Sequence, residues 1–170
     1  MEVVMDPSNI REDVLRRLMA QYKNDLMRMS YAYLKDATLA EDAVQETFVK
    51  AYQAMATFRG ESSEKTWLMR IAINTCRNIK RDSWFRFVDR SVTTDSLPQK
   101  AASAEEHALT EAVMNLSSKH KEVVLLYYYQ GMTLQEISEA LNVAISTIST
   151  RLKKARERLR RELEGGHDHA

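Results

Sequence analysis

The 170-residue chain is poor in residues that cross-link a fold or break its helices, with one cysteine, two prolines and four glycines. A single thiol excludes an internal disulfide, and Cys76 lies in a helical stretch without a histidine nearby, which predicts a buried apolar role. No run is apolar enough to span a bilayer, and the N-terminus lacks the positive-then-apolar order of a signal peptide. We therefore expect a helix-rich cytoplasmic protein without membrane insertion.

Groupings that would indicate catalysis or a cofactor are also missing. The sequence has no glycine-rich phosphate loop and no serine in a nucleophile elbow. Four histidines show no metal-ligand spacing: His107, His120, His167 and His169. We expect no enzyme activity, no cofactor and no metal site.

The net charge of +1 hides a strong segregation of charge along the chain. Residues 65–90 carry seven cations against two acidic residues, and residues 144–163 carry the same balance. Acidic side chains cluster instead around residues 36–46 and 105–111. This pattern predicts two surfaces for polyanions and at least one surface for a different partner.

Apolar residues recur with helical spacing over most of the chain, and no strand-like alternation of useful length occurs. Helices are predicted over 10–34, from about 39, and over 64–87, 104–115, 119–130, 134–141 and from 145. Residues 91–103 are polar, contain a proline and lack a repeating apolar face, which indicates a flexible linker. The expected fold is all-α, with small helical domains at 10–90 and 104–164, of which the C-terminal one is a helix-turn-helix.

The segment from Leu134 to Arg161 predicts a short helix, a tight turn at Asn142 and a second, basic helix. Apolar residues at spacings of three and four give the second helix one buried face. Its opposite face carries short hydroxyls followed by cations: Ser146, Thr147, Ser149, Thr150, Arg151, Lys153, Lys154 and Arg156. An ordinary α-hairpin has the same outline, but the charge balance favours a recognition helix in a DNA major groove.

Residues 42–48 predict an acidic helical surface. On a helix Asp42, Gln45 and Glu46 share an exposed flank, while Val44 and Phe48 face inward. A charged run is usually only a solvated face. Here the segment is short-chained and edged by apolar groups, which suits docking against a basic helix of another protein.

The third informative segment is a polar loop from Phe58 followed by a basic, aromatic helix. Trp67 lies near the start of the helix, and Arg70, Asn74, Arg77 and Arg81 form a stripe of guanidinium and amide groups beside its apolar face. Taken alone, Trp67 favours a core position, and only the polar loop before a basic, aromatic helix shifts the interpretation. Aromatic rings beside a cationic stripe suit unpaired bases, so we favour capture of a nucleic-acid single strand.

Together these segments resemble the extracytoplasmic-function sigma factors of bacteria, over nearly the whole chain from about Ile10 to Leu163. Asp42-Ala43-Val44-Gln45-Glu46-Thr47-Phe48 resembles the family's polymerase-binding signature. The stretch from Phe58 through Asn74 resembles its promoter-melting segment. Thr147 through Leu152 with Ala155-Arg156 resembles its recognition helix.

The resemblance implies a subunit that gives RNA polymerase its promoter choice. It implies docking on the coiled coil of the largest polymerase subunit through Asp42, Gln45, Glu46, Thr47 and Phe48. It implies melting of the minus-ten element through Phe58, Lys65, Trp67, Arg70, Asn74, Arg77, Lys80 and Arg81. It implies reading of the minus-thirty-five element, with Ser149, Thr150 and Lys153 at base-contacting positions and Arg151, Lys154 and Arg156 placed for phosphates. It also implies control by an anti-sigma factor.

Two other classes of protein remain open at this point. A two-domain transcriptional regulator would need a ligand pocket or a symmetric apolar interface in its first ninety residues. A helical RNA-binding or phosphoryl-transfer enzyme would need a glycine loop or clustered carboxylates. The sequence shows a cationic aromatic stripe instead, so these remain alternatives.

Overall fold

The computed structural model describes residues 6–87 and 103–165, and all regular secondary structure in those ranges is helical, which confirms the predicted fold class. The predicted linker, apart from Ser103, and the tail from Gly166 lie outside the described residues. Seven α-helices follow in order: α1 (Pro7–Leu34), α2 (Ala37–Ala54), α3 (Glu64–Phe87), α4 (Ala104–Met114), α5 (Ser118–Val124), α6 (Leu134–Leu141) and α7 (Ile145–Gly165).

The first three helices form an N-terminal bundle. Asp36 accepts a hydrogen bond from the Leu39 backbone N–H at 2.9 Å, so α2 begins at Ala37 and not at the predicted Leu39. Cys76 is fully buried and its Sγ lies 3.6 Å from Ser30 Oγ, which confirms its predicted packing role. The core of the bundle is built from buried apolar side chains: Leu18, Leu26, Met29, Val44, Phe48, Leu68, Met69 and Ile73.

The remaining helices form a C-terminal domain. Ser103 closes a capping box with Glu106 at the start of α4, so the last residue of the predicted linker belongs to this domain. The single helix predicted over 119–130 is divided, because a π-helical turn, Leu125–Tyr129, follows α5. A continuous apolar run has the same appearance in both helix types, so periodicity could not separate them.

The helix-turn-helix agrees with its sequence pattern. Thr133 and Glu136 form a capping box at α6, and Asn142 takes the left-handed conformation with φ 54°. Ile148, Leu152 and Ala155 bury one face of α7. These contacts present the opposite face of α7 outward.

The two domains pack against each other through α1 and α3. Helix α3 lies against α6, and α1 lies against α4, α5 and the π turn. Their buried apolar side chains form one continuous cluster. The side of α3 that the sequence assigns to nucleic acid therefore lies at the boundary between the domains.

Candidate nucleic-acid and protein-binding surfaces

An apolar groove opens between α1 and α2, and we call it the docking groove. Its floor and edges expose sizeable hydrophobic groups, with Met19 38% and Val49 55% accessible. Residues of α1 and α2 line it: Leu15, Met19, Lys23, Asn24, Met27, Glu41, Val44, Gln45, Phe48, Val49, Tyr52 and Gln53. Apolar groups bordered by polar and charged ones suit a protein partner.

The predicted docking residues divide into two groups. Asp42, Gln45 and Glu46 are exposed on α2, and Gln45 borders the docking groove. Thr47 and Phe48 are buried, and the Thr47 hydroxyl donates to the Ala43 carbonyl at 2.6 Å. The first three are therefore free to contact a partner, Phe48 offers only the small accessible part of its side chain that lines the groove, and Thr47 holds the helix in place.

Phe58 and Trp67 form an aromatic pair at the start of α3. Their ring centroids lie 4.8 Å apart with the planes tilted by 34°. Both side chains are half-buried, and Trp67 also packs against the core of the bundle. Part of each side chain remains accessible, so the pair packs on the bundle and also offers surface on which another ring could stack.

Of the predicted strand-binding cations, four are hydrogen-bonded to the C-terminal domain. Lys65 donates to the Gln130 carbonyl and Arg70 to the Glu139 carbonyl. Lys80 Nζ donates to Ser118 Oγ at 2.7 Å. Arg77 binds Glu122. Asn74 and Arg81 remain exposed on the same helix.

A polar cluster, which we call the interdomain cluster, consists of Tyr33, Arg77, Lys121 and Glu122. Arg77 Nε and one terminal nitrogen each donate to a Glu122 carboxylate oxygen at 2.7 Å, and Tyr33 Oη donates to the same carboxylate at 2.9 Å. Hydrogen bonding to Glu122 raises the pKa of Arg77, and burial next to that carboxylate raises the pKa of Tyr33. The cluster joins α1 and α3 to α5.

Lys121 is the member of the interdomain cluster whose charged form is disfavoured by burial. Its side chain is 1% exposed, and Nζ donates to the Tyr33 carbonyl at 3.2 Å. Burial, with smaller repulsion from Lys80 and Lys35, lowers the pKa of Lys121 to about 7. The packed state therefore favours the neutral amine, whereas the unfolded chain keeps the ammonium form.

We expect stability to rise with pH from about 7 towards 9, because unfolding takes up a proton at Lys121 in this window. Burial also lowers the pKa of Lys80, which acts in the same direction, while Tyr33 acts in the opposite direction only above its ordinary pKa of 10.0. Urea unfolding followed by circular dichroism measures the effect. Lys121→Met should remove most of the rise, and an undiminished rise in that variant would contradict the assignment.

The predicted recognition residues lie on α7 with unequal exposure. Ser146, Ser149, Thr150, Lys153, Lys154 and Arg156 are exposed, and Thr147 and Arg151 are half-buried. Arg156 Nε donates to Tyr128 Oη at 2.5 Å, and its guanidinium lies 5.6 Å from the ring centroids of Tyr127 and Tyr128. This packing holds Arg156 against the π turn, on the flank of the helix.

The sequence interpretation missed Tyr33, Lys121, Glu122 and Tyr128. The available signal was the charged pair Lys121-Glu122 directly before the apolar run that ends α5, since ionised groups are rarely buried without partners. That signal could not be interpreted from the sequence alone, because the partner of Glu122 is Arg77, which lies 45 residues away in the chain.

Within residues 6–87 and 103–165, no three His, Cys, Asp or Glu side chains come together as a metal site. Over the same residues, no helix has the length and apolar character needed to cross a membrane.

Family comparisons identify both halves of the chain. The model of Sigma-70 region 2 matches residues 18–86, and the model of Sigma-70, region 4 matches residues 112–161. RNA polymerase sigma factor YlaC of Bacillus subtilis (strain 168) is 31% identical over 160 residues, covering 89% of this chain and 92% of that protein. ECF RNA polymerase sigma factor SigW of the same organism is 29% identical, covering 89% and 90%.

Solved structures show the same fold. The sigma factor RpoE of Bartonella quintana, in complex with the anti-sigma factor NepR, superimposes with a TM-score of 0.73 at 24% identity over 90% of this chain and 98% of that chain. CnrH in complex with the cytosolic domain of CnrY gives a TM-score of 0.71 at 23% identity, over 91% and 90% of the chains. The chain therefore belongs to the sigma-70 family, and within it to the extracytoplasmic-function sigma factors, initiation factors that direct RNA polymerase to promoters and are not enzymes.

Proposed function

We propose that the chain binds core RNA polymerase through α2, opens the minus-ten element with α3 and reads the minus-thirty-five element with α7. The observation that carries the proposal is the order and chemistry of three surfaces. A helix with an apolar groove and exposed carboxylates is followed by an aromatic and cationic helix, and then by a hydroxyl-rich basic helix. A regulator that acts without polymerase has no evident use for the first two.

The docking groove and its acidic flank suit a basic, amphipathic helix. Asp42 and Glu46 would pair with cations of the coiled coil of the largest polymerase subunit, and Gln45 would hydrogen-bond at the groove edge. Thr47 contributes by packing, because its side chain is buried, and Phe48 packs below the groove and also forms part of its lining. Val49 supplies exposed apolar area beside them. Such a surface combines charge steering with a hydrophobic centre.

The minus-ten surface would hold the non-template strand. A base flipped out of the duplex would stack near Phe58 and Trp67, since every base offers a π face. Cations and an amide along α3 would hold the backbone: Lys65, Arg70, Asn74, Arg77, Lys80 and Arg81. The hypothesis needs these donors free of protein partners when DNA is bound.

The minus-thirty-five surface would enter the major groove. Short hydroxyls at the start of α7 can approach base edges closely, so Ser146, Thr147, Ser149 and Thr150 are placed to read them, with Lys153 one turn further on. Arg151 and Lys154 would hold phosphates. Arg156 supports the helix through its contacts with Tyr127 and Tyr128.

Control by an anti-sigma factor is part of the proposal. The structures of RpoE and CnrH named above are complexes with NepR and CnrY, and this chain shares their fold. We propose a stress-responsive role in the cytoplasm, where polymerase and promoter DNA are found. A pull-down with the tagged chain before and after stress would test it.

Run-off transcription tests the central proposal. Purified chain and core polymerase are combined on a library of random promoters, and the transcripts are sequenced. We expect co-elution with core and transcripts that share two spaced elements. Duplex binding without co-elution or transcription would instead favour the two-domain regulator.

Lys154 and Arg156 are expected to differ in a salt titration of holoenzyme on a promoter selected from that library. Lys154→Ala should reduce the slope of log affinity against log salt by about 0.9, the value for one lost phosphate contact. Arg156→Ala should change the slope less, because its guanidinium is held by Tyr128. Equal slope changes in the two variants would contradict this division of roles.

A further inference from the structure

Building on the proposed function, we propose that the ion pair between Arg17 of α1 and Glu64 of α3 positions the loop of residues 58–63 for capture of an unpaired base. Both side chains act as positioning residues. They hold the end of the loop and the first turn of α3 against the N-terminal bundle, while the base itself would stack on Phe58 and Trp67.

The Arg17–Glu64 pair has a geometry that fixes orientation. The two terminal nitrogens of Arg17 donate to different Glu64 carboxylate oxygens, at 2.8 and 2.6 Å. Two parallel hydrogen bonds of this kind restrict the direction between the two groups as well as their distance. Hydrogen bonding to Arg17 lowers the pKa of Glu64, so the carboxylate is ionised and the pair is intact at neutral pH.

The pair connects the end of the loop to a well-anchored part of α1. Glu64 is the first residue of α3, and Arg17 precedes Leu18, which is fully buried in the core. Tyr22, further along α1, is also buried, and burial together with the nearby Glu64 carboxylate raises its pKa. Because core packing anchors α1 here, Arg17 gives Glu64 a partner in a fixed place.

Glu64 belongs to the hydrogen-bonded turn that carries the stacking indole. The backbone N–H of Thr66 donates to Ser63 Oγ at 3.1 Å, and that of Trp67 donates to the Ser63 carbonyl at 3.0 Å. These bonds join residues 63–67 as the capped first turn of α3. Holding Glu64 therefore also holds Trp67.

The loop has few other attachments. Residues 59–61 are exposed, and no hydrogen bond in the described part of the chain joins residues 59–62 to a residue outside the loop. The first turn of α3 is also held through Lys65 and Thr66, but their partners belong to the C-terminal domain. Arg17 provides an attachment within the same domain as the loop.

The pair is expected to affect placement more than stability. Its side chains are 51% and 35% exposed, and solvent screening leaves exposed ion pairs with little effect on the free energy of unfolding. A misplacement of about 1 Å in groups that hold a reacting partner can slow a rate by about a hundredfold. Promoter opening is therefore the more sensitive readout.

The experiment compares Glu64→Gln, Arg17→Met and the double variant with a control, Arg16→Met, which alters the exposed neighbour of Arg17. Holoenzyme is formed on a promoter selected from the run-off library, and permanganate reactivity of unpaired thymines gives the opening rate. Replacing each base of the minus-ten non-template strand in turn by an abasic site identifies the captured base from the rates of the parent. Circular dichroism confirms folding.

We expect Glu64→Gln and Arg17→Met each to open the intact promoter about tenfold more slowly, and the double variant to be no slower, since all three remove one interaction. Arg17→Lys keeps the charge but cannot form the two parallel bonds, and should lose about threefold. Arg16→Met should stay within about twofold of the parent. On the promoter that lacks the captured base, the pair variants should open as fast as the parent does.

Three results would overturn the positioning role. One is an unchanged opening rate in folded Glu64→Gln, or in Arg17→Lys if the other variants do not fold. The second is a loss in Arg17→Met without a loss in Glu64→Gln, which would mean that the guanidinium contacts DNA directly. The third is an equal loss on the intact and abasic promoters, which would mean a purely structural role.

The free chain separates this inference from the proposed function. Hydrogen exchange of the Trp67 backbone N–H should be about threefold faster in Glu64→Gln than in the parent, because the first turn of α3 opens more often. Failure of the parent to bind core polymerase would refute the proposed function, and an unchanged exchange rate at Trp67 would still overturn the positioning role. Normal opening by the parent and by every variant would refute the positioning role alone.

Discussion

Trp67→Ala is expected to slow promoter opening by about ten- to a hundredfold while leaving duplex binding by α7 unchanged. Stacking of one base on an aromatic ring is worth about 1–3 kcal/mol, and each 1.4 kcal/mol is about tenfold in rate. Phe58 lies against the same indole at 4.8 Å, so the substitution removes half of the stacking pair. Permanganate reactivity of unpaired thymines in the holoenzyme complex measures the opening rate.

Trp67→Phe is the matched control, because the indole also packs against the core of the N-terminal bundle. It retains a ring for stacking and most of the buried area, and should open promoters within about threefold of the parent. Thermal melting separates loss of fold from loss of stacking. An unchanged opening rate in folded Trp67→Ala would remove Trp67 from promoter melting.

Reversal of two charges on α2, Asp42→Lys with Glu46→Lys, is expected to weaken core binding by about a hundredfold or more. Both side chains are exposed on α2, and each follows a residue that lines the docking groove, Glu41 and Gln45. Placing like charges against a basic partner costs several kcal/mol, which exceeds the loss from simple truncation. Co-elution with core polymerase and competition against a labelled parent chain measure the affinity.

Glu12→Lys with Asp13→Lys is the control for net charge. Both residues are exposed at the start of α1, where they pair with Arg16 at 3.9 and 3.8 Å. Loss of these surface pairs has little effect on stability. If the α2 variant binds core as tightly as the α1 control does, the acidic flank has no part in docking.

Local chemistry made most of the helices predictable. Thr133 and Glu136 cap α6, Asn142 accepts the left-handed turn, and the spacing of Ile148, Leu152 and Ala155 gives α7 its buried face. These effects act over three to five residues and are visible in the chain. The π turn after α5 was not predicted. An apolar run has the same sequence whether each carbonyl accepts a hydrogen bond from the N–H four residues or five residues further along the chain.

The candidate surfaces were predictable in composition but not in availability. The exposed positions of Asp42, Gln45 and Glu46 follow from helical spacing alone. The partners of Lys65, Arg70, Arg77 and Lys80 lie between 38 and 69 residues away in sequence, which no periodicity can indicate. The sequence likewise gives no indication that the Arg156 guanidinium donates a hydrogen bond to the Tyr128 hydroxyl.

Taken alone, the amino-acid sequence determined that this protein is helical, that it has a helix-turn-helix, and which three motifs it shares with sigma factors. Those properties arise from neighbours a few residues apart. Only the tertiary structure decided which cations face solvent and which are already bound, and that Glu122 joins the domains. The physical reason is that a buried charge needs partners brought from distant parts of the chain, and only packing of the two domains supplies them.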